Sequence, residues 1–398
     1  MPAPATSPPF TEASSARLRR GGWPAVIAVT TGIFAIVTTE ILPIGLLNPI
    51  GDTFGISDGT AGLMMTLPGI LAAVAAPTVT VSTGRVDRRL MLCALILVLA
   101  LANFLAALAP GYWLMMVSRV LVGLVIGGFW SIGASLASRL VPEAQAGRAT
   151  AVIFSAVPLG SVLGVPAGTL LGQLMGWRVV FVAMGGFTLA VLAALLVSVP
   201  ALPPQNVTRL AVLRELLGTD RVRAALAVTF LVVTAHFGTY TYVTPFLAEV
   251  TGVGAGSITG FLLAYGAAGI LGNFLAGPWV RRAPRGTFAT AAGLIGAVTL
   301  LLPALGTGKA GALVLLVVWG VAYGAVPVCS QTWFVTAAPH APEAASVLFT
   351  SSFQATFSFG ALAGGVVVDT ASATTVMAVG GGVAMLAALM VAGAARLV

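Results

Sequence analysis

Apolar runs, each long enough for one bilayer crossing, alternate with short polar connections along most of this 398-residue chain. A stretch of about 18 or more uncharged, mostly apolar residues reads as one spanning helix, because a charge in hydrocarbon costs at least a few kcal/mol. Twelve such stretches can be drawn, at residues 24–47, 59–82, 90–109, 113–138, 149–174, 179–199, 224–247, 257–280, 286–305, 310–334, 345–368 and 373–395. They are rich in Gly, Ala, Ser and Thr, the residues that let membrane helices pack closely. The pattern predicts an all-α membrane protein with twelve transmembrane helices.

Composition agrees. The chain is 58% hydrophobic and 8% charged, against about 25% charged in soluble domains. Its net charge of +8 does not point to nucleic acid, because the charge is distributed by loop. Arg85, Arg88, Arg89, Arg139, Arg148, Arg209, Arg214, Arg221, Arg223, Arg281, Arg282, Arg285 and Arg396 fall on the same side as the N-terminal arginines. The other side holds Arg178 and Lys309 with Asp52, Asp58, Glu249 and Asp369. Arginine on alternate loops is the positive-inside pattern, so both termini are expected in the cytoplasm and the protein in the inner membrane. The bilayer is then the expected partner, with no nucleic acid, and the chain is expected to act as a monomer.

Residues 1–22, rich in Pro, Ala and Ser, read as a cytoplasmic tail; the apolar run that follows is too long for a signal peptide. A polar connection at 201–223 divides the spans into six-helix halves at 23–200 and 224–398. The halves echo one another. Gly160 and Gly164 on the fifth span correspond to Gly360 and Gly364 on the eleventh. Two six-helix halves related by a parallel repeat are the architecture of major facilitator transporters.

Several chemistries find no residues. The lone lysine, Lys309, lacks a P-loop's spacing. His236 and His340 are too few for a metal cluster, and no nucleophile elbow is present. Cys93 and Cys329 fall inside spans and imply no disulfide framework. No cofactor, metal or enzymatic activity is expected.

Candidate sites come from the exceptions inside the spans: Glu40, Arg119 and His236. An arginine two turns into a membrane helix either meets an acceptor in the protein or snorkels to the interface. Glu40 lies at similar depth on the first span; it either pairs with Arg119 or sits in headgroup water. A mid-span histidine needs a polar partner, and its ordinary pKa makes His236 a second candidate proton carrier. His236 and Tyr240 on the seventh span, and Trp319 and Tyr323 on the tenth, share helix faces at a spacing of four. With Trp130 on the fourth span they offer flat faces for a solute, or else they are packing. Gly160, Gly164, Gly168 and Gly172, with Pro158 and Pro166 among them, strip one face of the fifth span to backbone, which favours close packing and a bend.

These residues carry a resemblance. Arg119-Val120-Leu121-Val122-Gly123 resembles the Arg-x-x-x-Gly pattern on the fourth helix of proton-coupled major facilitator transporters. Gly160 to Gly168 resembles the Gly/Pro motif of the superfamily's antiporters, with Val165 interposed before Pro166. Asp87-Arg88 matches part of its second-to-third loop motif, whose Asp closes the inner gate; Thr83 replaces the leading Gly and the trailing Gly-Arg-Lys is missing. Gly127 through Pro142, Glu40 through Pro43 and Trp319 through Trp333 are similar to bacterial purine ribonucleoside efflux pumps, while sugar-efflux and chloramphenicol-resistance transporters share much of the pattern.

The resemblance implies an exporter of a small organic solute driven by protons through alternating access, with purine nucleosides as substrates or, alternatively, a broad range of drugs or sugars. Import with protons, or a membrane enzyme or receptor, are the other readings. In this fold helices one, four, seven and ten line the cavity. Glu40, Arg119 and His236 are then expected in proton coupling and Trp130, His236, Tyr240, Trp319 and Tyr323 in substrate contact. Asp87, Arg88, Gly160, Gly164, Pro166 and Gly168 are expected in gating.

Overall fold

The computed structural model describes residues 22–82, 86–133, 137–203 and 214–393. Twelve of its helices are long and apolar enough to cross a membrane. They are α1 Trp23–Phe54, α2 Asp58–Ser82, α3 Arg88–Ala107, α4 Tyr112–Gly133, α5 Glu143–Met175 and α6 Trp177–Ser198, followed by α7 Asp220–Tyr240, α8 Ala255–Arg282, α9 Pro284–Leu305, α10 Lys309–Ala337, α11 Pro342–Thr370 and α12 Ala373–Gly393. Helices dominate because lipid leaves backbone groups no partner but the segment itself. Exposed Leu101, Leu174, Phe274 and Leu389 follow from the same solvent.

The helices extend past the spans drawn from hydropathy: α1 continues to Phe54 and α5 starts at Glu143. Hydropathy registers only the apolar part, whereas the backbone ladder runs on into polar surroundings. At the end of α1 the chain turns on Gly55, whose φ of +63° is cheap only for glycine.

The seventh span does not form one helix. It stops at Tyr240, and a separate turn of helix covers Val243–Glu249. Pro245 explains the break: it has no N–H for the Thr241 carbonyl and its ring crowds that oxygen. The Thr241 hydroxyl donates back to the Phe237 carbonyl at 2.6 Å.

Each half packs in the same way. The close pairs α1–α5, α2–α4 and α3–α6 recur six helices later as α7–α11, α8–α10 and α9–α12. The echoed glycines sit at the first of these pairs. A Cβ on Gly164 would lie 3.0 Å from Thr38 of α1, and one on Gly360 would lie 2.7 Å from the Thr234 carbonyl of α7. Both distances are below ordinary contact, so α5 and α11 approach their partners as they do only because no side chain intervenes. The halves meet mainly through α2–α11 and α5–α8.

Candidate functional site

Glu40 is buried in α1 at the boundary between the halves, and Gln354 Nε2 of α11 donates to its Oε1 at 2.8 Å. One residue earlier, Thr39 faces different helices. Its carbonyl accepts from Arg119 Nη1 at 3.0 Å and its hydroxyl from Asn103 Nδ2 at 3.2 Å. Consecutive helix residues point about 100° apart, so α1 turns Thr39 toward α3 and α4 and Glu40 toward α11.

Arg119 therefore does not snorkel: it is fully buried. Nor does it form the expected ion pair with Glu40. Its acceptors are the Thr39 carbonyl and, at 3.3 Å from Nη2, the Ser118 hydroxyl, with the Phe181 ring centroid 5.3 Å from its Cζ. Nε has no partner. Among the described residues the one side-chain ion pair is Arg223–Asp220 at 3.7 Å, on the surface. Burial without a carboxylate is an expensive state for a guanidinium.

The aromatic candidates do come together, around His236. Its Nδ1 lies 3.1 Å from Trp319 Nε1 and its Nε2 lies 3.4 Å from the Tyr265 hydroxyl. An indole N–H only donates, so Nδ1 is the acceptor, and the network assigns the neutral tautomer with its proton on Nε2. Tyr323 stacks on one side of the imidazole with centroids 3.3 Å apart, and Tyr240 stacks at 5.3 Å. Trp319 stands edge-on to His236, Tyr240 and Tyr265.

This arrangement changes what the rings offer. Trp319 at 0% exposure, His236 at 1% and Tyr240 at 7% are buried against one another. Tyr323 keeps a partly exposed surface and lies near enough to Glu40 for its hydroxyl to feel that carboxyl's charge. The Trp130 side chain lies outside what is described. Tyr265 and Gln354 are additions that the sequence reading did not make. The available signals were an amide inside the eleventh apolar span and a tyrosine inside the eighth, neither of which names its partner.

The gating candidates have structural partners. Asp87 caps α3, its Oδ1 accepting from the Arg89 N–H at 2.8 Å and the Leu202 N–H at 3.2 Å. The Arg88 N–H donates to the Leu202 carbonyl at 2.9 Å, so the α2–α3 loop is tied to the end of α6. On α5, Gly160, Gly164 and Gly168 face Val37, Thr38 and Leu42 of α1. Pro166 is buried in the same helix and leaves the Val162 carbonyl without its helical donor. There Gly266 of α8 crosses so closely that a Cβ on it would lie 3.0 Å from Val162 Cα.

Residues 25–355 match the family model of the Major Facilitator Superfamily. The chain belongs to this superfamily. The purine ribonucleoside efflux pump NepI of Escherichia coli K12 is 30% identical to it over 374 residues, 94% of each chain. The transcription regulatory protein OpdE of Pseudomonas aeruginosa is 33% identical over 356 residues, 88% of each. Among solved structures the fold is similar to an inward-facing, unoccupied bacterial homologue of the human lysosomal transporter Spinster (TM-score 0.68, 16% identity, 94% of this chain and 95% of that one). It is also similar to the human organic anion transporter MFSD10 (TM-score 0.68, 17% identity, 92% and 99%).

As a major facilitator transporter the protein is an integral membrane carrier, not an enzyme. Hydrogen bonds between its halves run from Glu40–Gln354 toward the end of the bundle that carries the α1–α2 loop. They include the Thr244 hydroxyl donating to the Ile44 carbonyl at 3.0 Å, and the Ser57 hydroxyl and Gly59 N–H at the start of α2 donating to the Asp369 carboxylate. The transporter is held together at that end.

Proposed function

We propose that this protein exports a small, planar, largely uncharged organic solute across the cytoplasmic membrane in exchange for protons. Glu40 carries the proton and Arg119 acts on it electrostatically. The supporting observation is the placement of Glu40: a buried carboxyl between the halves, hydrogen-bonded to α11 and one residue from the carbonyl that holds Arg119. A carboxyl whose surroundings change with the packing of the halves changes its proton affinity. Alternating access then loads it from one side and discharges it to the other.

Tyr323 presents the stacking surface beside Glu40, and the His236, Tyr240 and Trp319 cluster holds that ring in place. Pockets of this kind orient a ligand with few polar groups. Purine nucleosides suit it, and the similarity to NepI supports them as first candidates. Asp87 and Arg88, with the bare α5 face of Gly160, Gly164, Pro166 and Gly168, act in opening and closing. Both termini lie in the cytoplasm, and the monomer is the working unit.

Everted vesicles test the reading. With the protein present, adding its solute dissipates an imposed pH gradient; inosine, guanosine, chloramphenicol-like drugs and sugars would be compared. No gradient-coupled movement of any solute class, with facilitated movement intact, would rule out proton exchange. Confinement to a strongly anionic solute would rule out the substrate contacts proposed.

A further inference from the structure

Asp369, at the C-terminal end of α11, belongs to no motif in the sequence, yet it crosses to the other half. Its Oδ1 accepts from the backbone N–H of Gly59 at 2.9 Å, and its Oδ2 from the Ser57 hydroxyl at 2.7 Å. Ser57 is the residue before α2, and its own Oγ accepts from the Thr60 N–H at 3.2 Å. The carboxylate thus occupies the start of α2, where first-turn amides lack helical acceptors and the helix dipole favours negative charge. Gly59 makes the approach possible, since any Cβ there would run into the Asp369 carboxylate and the Gly365 carbonyl.

The contact is strong enough to hold and poor enough to break. Charge-assisted hydrogen bonds to two donors favour it. Against it stands a local excess of negative charge, because Asp58, on the same first turn, interacts with Glu249, Asp369 and Asp52 together. Asp369 also shares α11 with Gln354, the partner of Glu40. The two positions are fifteen residues, roughly 22 Å of helix, apart. Movement of α11 that separates Asp369 from α2 therefore displaces the residue bound to Glu40.

We infer that Asp369 is a gating residue: as a carboxylate cap placed on α2 from the opposite half, it latches the α1–α2 end shut, and its release lets that end open. Ser57 and the Gly59 amide are the receiving half of the latch. The geometry of this contact is separate from the Glu40 site and does not depend on what the transporter carries.

The test is a distance distribution across that end. Nitroxide labels at Leu108, on the α3–α4 loop, and Thr307, on the α9–α10 loop, report one half each and touch neither Asp369 nor Ser57. In liposomes without solute or pH gradient, the parent protein is expected to show a short-distance population. Asp369→Asn is expected to add a longer one, Ser57→Ala a smaller amount of it, and Asp369→Glu to return most of the protein to the short distance. Parent-like distributions in both Asp369→Asn and Ser57→Ala would overturn the latch. Since the readout involves no proton movement, failure of Glu40 as carrier leaves this result unchanged, and failure of the latch leaves Glu40 in place.

Discussion

Gln354 Nε2 donates a 2.8 Å hydrogen bond to Glu40 Oε1, joining α11 of one half to α1 of the other through the one acidic side chain buried among the described spans. Thr39, its neighbour in sequence, is held by Arg119 and Asn103 from inside the first half. Adjacent residues of α1 thus answer to different halves. A displacement of α11 changes the surroundings of Glu40 while Arg119 stays on the α1 backbone, which is the physical basis of the coupling proposed.

Glu40→Gln is expected to abolish pH-gradient-driven transport while leaving solute binding within about threefold, or 0.7 kcal/mol. The amide keeps the shape and can still meet Gln354 but has no titratable proton at neutral pH. Proteoliposomes with an imposed gradient measure the first quantity and equilibrium binding the second. Retained gradient-driven transport in the variant would remove Glu40 from its role and turn attention to His236.

Arg119→Ala removes charged hydrogen bonds worth about 1.5–3 kcal/mol each. It leaves the Thr39 carbonyl and Ser118 without their donor inside the first half. Transport is expected to fall by about tenfold or more, with a lower melting temperature in detergent. Arg119→Lys should recover less than half of the loss, because a single ammonium does not reproduce the guanidinium fork. Full rescue by lysine would mean that charge alone matters.

Trp319→Phe takes the N–H donor away from His236 Nδ1 while keeping an edge-on ring. A cost of about 1 kcal/mol is expected from the lost bond and the acceptor left buried. In protein carrying ¹⁵N-histidine, the parent His236 should show a hydrogen-bonded, unprotonated Nδ1 and a protonated Nε2, and the variant should lose the hydrogen-bond shift at Nδ1. A parent spectrum with the proton on Nδ1 would contradict the tautomer assigned.

Gly164→Val should destabilise the protein by about 1–3 kcal/mol, since overpacking forces neighbouring groups apart. Its Cβ alone would lie 3.0 Å from Thr38 of α1. Gly186→Ala is the control: nothing lies within 4 Å of a Cβ placed there. Thermal melting of the two variants compares them directly, and equal melting points would show that the α1–α5 approach carries no constraint.

The membrane class, the twelve spans and the bare, close-packing faces of α5 and α11 were legible along the chain, whereas α1 and α7 as the helices packed on those faces came only from the fold. The legible features follow from local rules: hydrocarbon excludes charge over a fixed length, and a glycine at every fourth position bares one helix face. Those rules hold whatever lies across the boundary. The break after Tyr240 was equally local, since Pro245 sits in the sequence, but the uninterrupted hydropathy of the seventh span concealed it.

The partners of the buried polar groups were decided only by the fold. Sequence selected Glu40, Arg119 and His236 because each is costly in a membrane, yet cost names no partner. Glu40 meets Gln354, 314 positions away; Arg119 meets a backbone carbonyl, which every residue possesses; and His236 meets Trp319 through a donor that spacing alone does not orient. Depth along a helix can be counted from sequence, but the group a side chain meets depends on how the helices are rotated and packed within each half, for Arg119 and His236, and on how the halves are set against one another, for Glu40. Those relations exist only in the assembled molecule.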